Sequence, residues 1–129
     1  MKNPASSPVV VQVFGIPNCD TVKKARTWLT EHGIAFEFHD FKKQGVPPAS
    51  MDQWLQSVGW ETLLNRKGTT WRQLDAALQA SVHDAASAKA VMLAYPSVIK
   101  RPVVEWPGAS AGQQVSVGFN ANAWADQRL

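Results

Sequence analysis

The spacing of apolar residues near the start of the chain predicts a strand, a helix and a second strand. The β-branched run at 8–14, PVVVQVF, is typical of a buried strand. Apolar residues then recur at helical spacing from 20 to 32, and Gly33 is the type of residue that ends a helix. The segment 34–41, IAFEFHDF, alternates apolar and polar residues as a half-buried strand does. These elements predict a βαβ unit whose two strands are parallel and joined by a right-handed crossover.

The middle of the chain, about 47–95, has a different pattern and predicts a block of short helices. Its first helix follows two prolines, and Ser50 and Gln53 have the spacing of a capping box, which predicts a helix start at Ser50. The segments WETLLNR, TTWRQL and DAASAKAVMLAYP continue the helical pattern. This block separates the opening βαβ unit from the elements that follow it.

The end of the chain predicts a β-hairpin followed by a helix. The segments 101–107, RPVVEWP, and 113–119, QQVSVGF, predict the two strands, with a turn that contains Gly and Ser between them. The last segment, 120–129, predicts a helix with Asn120 or Asn122 as its N-cap. A βαβ unit, a helical insertion between the two halves and a ββα unit form the plan of a thioredoxin-like α/β fold.

The composition is that of a globular protein, with 45% hydrophobic and 18% charged residues in a length of 129. We expect one domain, 1–129, and a monomer. No apolar run approaches the roughly 18 residues that a membrane span requires, and the N-terminus has no signal-peptide pattern. We therefore expect a cytoplasmic protein without a membrane partner. Thirteen Lys and Arg against ten Asp and Glu give a net charge of +3 without a dense basic block, so we expect no nucleic-acid partner.

The only cysteine of the chain, Cys19, lies in the segment FGIPNCDTVKKARTWL. One cysteine excludes an intramolecular disulfide and a cysteine-based zinc cluster. The three histidines have no metal-ligand spacing, so we expect no metal site. A lone cysteine is most often a buried and inert residue, and this interpretation stays open beside a reactive thiol.

The position of Cys19 favours a reactive thiol. Thiols react as thiolates, and Cys19 falls at the predicted start of a helix, where unpaired N–H groups and the helix dipole favour negative charge. Lys23 and Lys24 add positive charge one turn later, whereas Asp20 opposes it. The same backbone N–H groups are suited to an oxyanion such as arsenate or phosphate. Asn18 and Lys23 are therefore candidate substrate-binding residues.

Three separated segments resemble the arsenate reductase (ArsC) family of thioredoxin-like proteins: FGIPNCDTVKKARTWLTEHGI, LLNRKGTTWRQL and PSVIKRPVV. The resemblance extends over about residues 10–128, with the helical insertion in the same place. It is strongest to a branch of small ArsC-like thiol reductases related to the Spx regulators. The family includes glutathione-dependent arsenate reductases and the Spx transcriptional regulators, so the resemblance is more specific for the family than for the activity.

The resemblance assigns roles to four residues. Cys19 matches the family's nucleophile, and Arg101 matches the arginine placed before the strand that faces it. Pro102 matches the proline that thioredoxin-like folds hold in cis beside the active thiol. Arg66 is the best match to a second oxyanion-binding arginine, in an alignment that can slip by one residue. We expect Arg72, in the same segment, to lie on a solvent-exposed helix face.

The chain departs from the family's pattern at three positions. Arsenate reductases carry a histidine four residues before the nucleophile, where this chain has Gly15. Their third arginine corresponds to Gly118, so we expect arsenate reduction to be weak or absent. Spx regulators often have a Cys-x-x-Cys switch, and Val22 stands at the position of its second cysteine.

The resemblance implies an enzyme, a thiol/disulfide or oxyanion reductase in which Cys19 is the nucleophile. Since no second cysteine can resolve the product, an external thiol is required. Glutathione is the expected co-substrate, and a glutaredoxin is a further candidate partner. Arg101 and Arg66 would bind the carboxylates of glutathione or an anionic substrate. The alternative is a non-catalytic, Spx-like regulator whose helical insertion docks on RNA polymerase or another protein.

Overall fold

A mixed four-stranded sheet lies at the centre of the computed structural model, which describes residues 10–107 and 114–125. The strands are β1 (Val11–Gly15), β2 (Phe36–Asp40), β3 (Val103–Trp106) and β4 (Gln114–Val117). Their order across the sheet is β2-β1-β3-β4. β1 and β2 are parallel, whereas β3 is antiparallel to both of its neighbours. The structure confirms the predicted parallel pair and the antiparallel pairing of the last two strands.

Helices connect and cover these strands. Their bounds in the described residues are α1 (Asp20–Glu31), α2 (Phe41–Gln44), α3 (Pro48–Val58), α4 (Trp60–Leu63), α5 (Thr69–Gln73), α6 (Ala76–Ala80), α7 (Ala85–Ala94) and α8 (Ala121–Ala125). α1 links β1 to β2, α8 follows β4, and the helices from α2 to α7 form the insertion between β2 and β3. The order βαβ, helical insertion, ββα confirms the predicted thioredoxin-like α/β fold.

Each face of the sheet packs against a separate hydrophobic core. Val11 and Val13 of β1 face α1 and α8, whereas Phe14 faces the helical insertion, because alternate residues of a strand lie on opposite sides. The first core also contains Ala25, Leu29, Val104, Trp106 and Trp124. The second core includes Met51, Trp54, Leu63, Met92, Ile99 and Val103.

A buried hydrogen bond ties the helical insertion to the sheet. The indole N–H of Trp54 in α3 donates to the Glu105 carboxylate of β3 at 2.8 Å. Glu105 is only 7% exposed, and a buried carboxylate without a partner would be strongly unfavourable. The bond therefore favours one placement of the insertion against the sheet.

Backbone hydrogen bonds fix the segment before β3 to the insertion. The N–H of Asn65 donates to the Val98 carbonyl, and the N–H of Lys100 donates to the Leu63 carbonyl, both at 2.8 Å. An isolated antiparallel bridge lies between these two bonds. These contacts bring Asn65 of the insertion beside the chain that enters β3.

Most predicted strands are shorter in the structure: β2 begins at Phe36, two residues later than predicted, and β3 and β4 are Val103–Trp106 and Gln114–Val117 within the predicted 101–107 and 113–119. Two further boundaries differ for a local reason. α3 begins at Pro48 with Pro47 as its N-cap, so the helix start predicted at Ser50 is wrong. A proline in the first helical turn has a φ that already suits the helix and needs no hydrogen-bonding side chain before it. The second strand ends at Asp40, one residue earlier than predicted, because the Asp40 carboxylate caps the short helix α2.

The closing helix begins with one of the two N-caps that the sequence predicts. Asn120 caps α8, since its side-chain oxygen accepts a hydrogen bond from the Ala123 N–H at 3.0 Å. The turn predicted at 108–112, the end of the predicted helix at 126–129 and the first two residues of the predicted opening strand lie outside the described residues. Within the described residues, no helix has both the length and the apolar character needed to cross a membrane.

Candidate active site

Cys19 is the N-cap residue of α1, at the helix start that the sequence predicts. Its backbone is extended, with φ −106° and ψ 126°, and its carbonyl accepts a hydrogen bond from the Lys23 N–H at 2.9 Å. The residue is partly exposed rather than buried in either core. The N–H groups of a first helical turn lack acceptors within the helix, and the helix dipole is positive at this end. This position suits a thiolate or a bound anion.

A cavity of about 450 Å³, here termed the Cys19 cavity, opens beside the thiol. Its walls come from the start of α1, the loop between α4 and α5, the segment before β3 and the segment from β4 to α8. The lining residues are Cys19, Thr21, Asn65, Lys100, Arg101, Val117, Gly118, Phe119 and Asn120. Two cations, two carboxamides and a hydroxyl group thus surround the thiol, a combination suited to an anionic ligand.

Arg101 lies at the entry to β3 and lines the Cys19 cavity, so the structure brings it together with the candidate nucleophile. Its Nη1 donates to the Ser97 carbonyl at 3.0 Å, which fixes one side of the guanidinium. Its Nε atom is buried and has no hydrogen-bond partner among the described residues. Buried donors without a partner are uncommon, and a bound ion or water often completes their hydrogen bonding. The Arg101–Pro102 bond is cis, as the resemblance implies.

Lys100 supplies a second cation near Gly118, where the sequence lacks the family's third arginine. Gly118, at the position of the family's third arginine, has φ +82°, a conformation that residues with a Cβ rarely adopt. A Cβ built on Gly118 would lie 3.4 Å from Lys100 Cε, so the lysine chain occupies space over the glycine. Lys100 and Arg101 therefore line the cavity together.

The packing around Gly15 is tight at the position where arsenate reductases carry a histidine. Gly15 is buried, and a Cβ built on it would lie 2.9 Å from Val22 Cγ2. The same Cβ would be 3.8 Å from Arg101 Cβ, because the end of β1 packs against the entry to β3. A methyl group of Val22 thus stands where a side chain at residue 15 would begin.

Arg66 is not among the residues that line the Cys19 cavity, whereas its neighbour Asn65 is. The Arg66 guanidinium lies 3.8 Å from the Glu61 carboxylate and 5.4 Å from the ring centre of Trp60. Arg66 lines a neighbouring cavity of about 320 Å³ instead.

The remaining predicted binding residues lie outside the lining of the Cys19 cavity. Lys23 is exposed and lines grooves along the outer face of α1. Asn18 is exposed in the loop before α1, and Pro102 is buried at the entry to β3. Arg72 is exposed on α5, which confirms the exposed helix face predicted from the sequence.

Four polar residues that line the cavity were not predicted as site residues from the sequence: Thr21, Asn65, Lys100 and Asn120. Thr21 and Lys100 are close in sequence to Cys19 and Arg101, and this proximity could have identified them as candidate site residues. Asn65 and Asn120 reach the cavity from distant segments, and no local pattern marks them. In the part of the chain that the structure describes, no three His, Cys, Asp or Glu side chains are grouped to hold a metal ion.

Comparisons with known proteins find relatives over most of the chain. A sequence model described as the ArsC family matches residues 14–127. An uncharacterized protein of Haemophilus influenzae is 38% identical over 111 residues, which cover 86% of this chain and 92% of that protein. The global transcriptional regulator Spx of Streptococcus agalactiae is 24% identical over 116 residues, which cover 86% of this chain and 77% of the regulator.

Solved structures share the fold. A protein named YffB has a TM-score of 0.80 and 48% sequence identity, and the match covers 89% of this chain and 96% of that protein. An arsenate reductase (ArsC) related protein from Brucella melitensis has a TM-score of 0.67 and 46% identity, with 95% of each chain covered. Matches of this length include the helical insertion as well as the sheet.

Proposed function

The chain belongs to the ArsC family, and we propose that it is a thiol reductase with Cys19 as its nucleophile and glutathione as its reductant. The observation that carries this proposal is that Cys19, Lys100 and Arg101 line one cavity. A thiol at a helix N-terminus beside two cations is arranged to attack a sulfur or oxyanion centre of an anionic substrate. We place the reaction in the cytoplasm, where glutathione keeps thiols reduced.

In the first step, the Cys19 thiolate attacks one sulfur of a substrate disulfide. A mixed disulfide between Cys19 and the substrate forms, the original S–S bond breaks, and the second sulfur leaves as a thiolate that takes a proton from water. A glutathione thiolate then attacks the substrate sulfur of the mixed disulfide and releases the Cys19 thiolate. A second glutathione reduces the resulting substrate–glutathione disulfide. Two glutathiones are thereby oxidised to their disulfide, and the substrate disulfide gains two electrons and becomes two thiols.

External glutathione fits the residues of this chain for two reasons. The chain has one cysteine, so no internal thiol can attack the mixed disulfide. Lys100 and Arg101 offer charge-assisted contacts to the carboxylates of glutathione, and such contacts are stronger than neutral hydrogen bonds. Asn65 and Asn120 line the same cavity and have carboxamides that both donate and accept hydrogen bonds.

Arsenate is a weaker candidate as substrate. The space beside the nucleophile where arsenate reductases have a histidine holds the Val22 methyl group, so a polar contact is missing. Losing one charge-assisted contact costs roughly 1.5–3 kcal/mol, which corresponds to about a tenfold to hundredfold lower rate. Lys100 can offset the missing third arginine, but it leaves the position of Gly15 without a polar group. We therefore propose that disulfides react faster than arsenate.

The experiment that tests the proposal is a turnover assay with reduced glutathione and a small disulfide such as 2-hydroxyethyl disulfide. We expect the purified protein to form oxidised glutathione faster than the uncatalysed reaction, and we expect Cys19→Ser to abolish the difference. Arsenate in place of the disulfide should give little turnover. A rate equal to that of Cys19→Ser with both substrates would refute a glutathione-dependent reductase.

The second candidate function is a regulator without turnover. The observation that favours it is the similarity to Spx regulators over 86% of this chain, a range that includes the helical insertion. In this case the insertion would dock on RNA polymerase or another protein. Direct binding to purified RNA polymerase that persists in Cys19→Ser, together with no glutathione oxidation, would favour the regulator.

A further inference from the structure

A second cavity of about 320 Å³ lies beside the Cys19 cavity and is here termed the side cavity. Asn65 and Lys100 line both cavities, so the two spaces share a boundary. We propose that the side cavity binds the free amino-acid end of a ligand whose sulfur lies at Cys19. The ligand class is a thiol or disulfide with an α-amino group and an α-carboxylate. The proposal rests on the proposed function, because it assumes that Cys19 reacts with the sulfur of such a ligand.

The charges of the side cavity match both groups of an amino-acid end. Arg66, Lys67 and Lys100 offer three cations to a carboxylate, and Glu61 offers one carboxylate to an ammonium group. The Arg66 and Glu61 charges are 3.8 Å apart, with side chains that are 49% and 69% exposed. Exposed ion pairs of this kind contribute little to stability, so both partners are available to a ligand. An α-amino acid carries the two opposite charges close together and can contact both partners at once.

Contacts within the cavity wall limit the movement of its charged groups. The Arg66 guanidinium lies over the Trp60 ring at 5.4 Å, a cation–π arrangement that favours one placement of its long side chain. The side-chain oxygen of Asn65 accepts a hydrogen bond from the Lys67 N–H at 3.2 Å, which shapes the loop between α4 and α5. Groups that are held in place before binding lose less entropy when a ligand arrives.

The two residues that line both cavities, Asn65 and Lys100, have anchored backbones, whereas the side chain of Lys100 is free to move. The N–H of Asn65 donates to the Val98 carbonyl and the N–H of Lys100 to the Leu63 carbonyl, so both shared residues have anchored backbones. The side chain of Lys100 is exposed and lies over Gly118, which has no side chain to restrict it. Lys100 can therefore contact a carboxylate in either cavity, and a ligand that extends from one cavity to the other would contact it along its length.

A binding measurement without chemistry tests the proposal. S-methylglutathione, which has a γ-glutamyl end with a free α-amino acid, is titrated by calorimetry into the full chain carrying Cys19→Ser. We expect Lys67→Met and Lys100→Met, each added to that variant, to weaken binding about threefold to tenfold, because each removes a contact to a carboxylate. Lys100→Arg should retain most of the affinity. Arg72→Met is the matched control, because Arg72 is exposed on α5, and its dissociation constant should equal that of Cys19→Ser.

A second ligand tests whether the effect of Lys67 depends on the carboxylate charge of the ligand. S-methylglutathione diethyl ester lacks both carboxylate charges, so Lys67→Met should change its affinity less than twofold. Two results would overturn the side-cavity proposal. One is that adding Lys67→Met to Cys19→Ser leaves the dissociation constant for S-methylglutathione unchanged, and the other is that Cys19→Ser does not bind S-methylglutathione at all. If turnover occurs but Lys67→Met changes neither the dissociation constant for S-methylglutathione nor the KM for glutathione, the reductase proposal is supported and the side-cavity proposal is contradicted. If binding depends on Lys67 but no turnover occurs, the side-cavity proposal is supported and the reductase proposal is contradicted.

Discussion

The side chain of Lys100 lies over the backbone of Gly118, and a Cβ built on the glycine would be 3.4 Å from Lys100 Cε. Gly118 also donates its N–H to the Pro102 carbonyl at 2.9 Å, so it holds β4 against the entry to β3. Its φ of +82° is favourable for glycine and strained for other residues. The same residue thus has a conformational role and leaves the space in which Lys100 reaches the Cys19 cavity.

We expect Gly118→Ala to lower the free energy of unfolding by about 1–2 kcal/mol, the usual cost of a left-handed conformation for a residue with a Cβ. Urea unfolding measures this loss. Gly118→Asn is the matched control, since asparagine tolerates positive φ better than alanine does. A larger loss of stability for Gly118→Asn than for Gly118→Ala would show that the left-handed conformation is not the cause.

We expect Gly15→Ala to destabilise the protein by about 1–3 kcal/mol, because the new methyl group overpacks a buried site. The atom that it would meet is Val22 Cγ2, at 2.9 Å. Val22→Ala removes that atom, so the double variant should recover part of the loss in a double-mutant cycle of unfolding free energies. Strictly additive losses would mean that Val22 is not the residue that excludes a side chain at Gly15.

The sheet and α1 could be predicted from the sequence because the strands contain short β-branched or alternating apolar segments and the apolar residues of α1 recur at helical spacing. The start of α3 could not, because Ser50 has the side chain of a good N-cap but Pro48 already fixes a helical φ earlier in the chain. α6 also lacked a signal. Its five residues, AALQA, are too few to show an apolar repeat at helical spacing.

The candidate site could be predicted only where a residue lies in or near a recognisable segment. Cys19 and Arg101 could be predicted in this way, because a helix start and the segment before a strand have local sequence patterns. Asn65 was not, since its approach to the cavity depends on its hydrogen bond to Val98 in a distant segment. Arg66 shows the related limit: neighbouring residues in a loop point in different directions, so an alignment uncertain by one residue cannot choose between them.

We expect Asp84 to make the stability of the fold depend on pH in the acidic range. Ser87 donates to the Asp84 carboxylate from its side chain at 2.6 Å and from its N–H at 2.9 Å, in the capping box that begins α7. These bonds, with a smaller contribution from His83, hold the pKa of the Asp84 carboxyl below its usual value of 3.8. A pKa that is lowered in the folded state stabilises the fold above the unfolded-state pKa, and this stabilisation is lost as the pH falls through the folded-state pKa.

The matched variant is Asp84→Asn, which keeps the shape of the side chain and removes its charge. Its midpoint of thermal unfolding should be lower than that of the parent at about pH 6, and the difference should shrink as the pH falls below about 4. Thermal unfolding followed by circular dichroism over this pH range measures the difference. A difference that stays constant throughout the range would mean that the Asp84 charge does not stabilise α7.

We expect Cys19 to form a mixed disulfide that persists when reduced glutathione is withheld. Because the chain has no second cysteine, oxidised glutathione alone should leave one glutathionyl adduct per chain by intact-mass measurement. The adduct should be lost on adding reduced glutathione and be absent from Cys19→Ser. Arg101→Met should slow its formation at least about tenfold, since a charge-assisted contact contributes roughly 1.5–3 kcal/mol, whereas Arg72→Met should leave the rate unchanged. A folded protein whose Cys19 stays unmodified, or reacts equally fast in Arg101→Met, would contradict the role assigned to the Cys19 cavity.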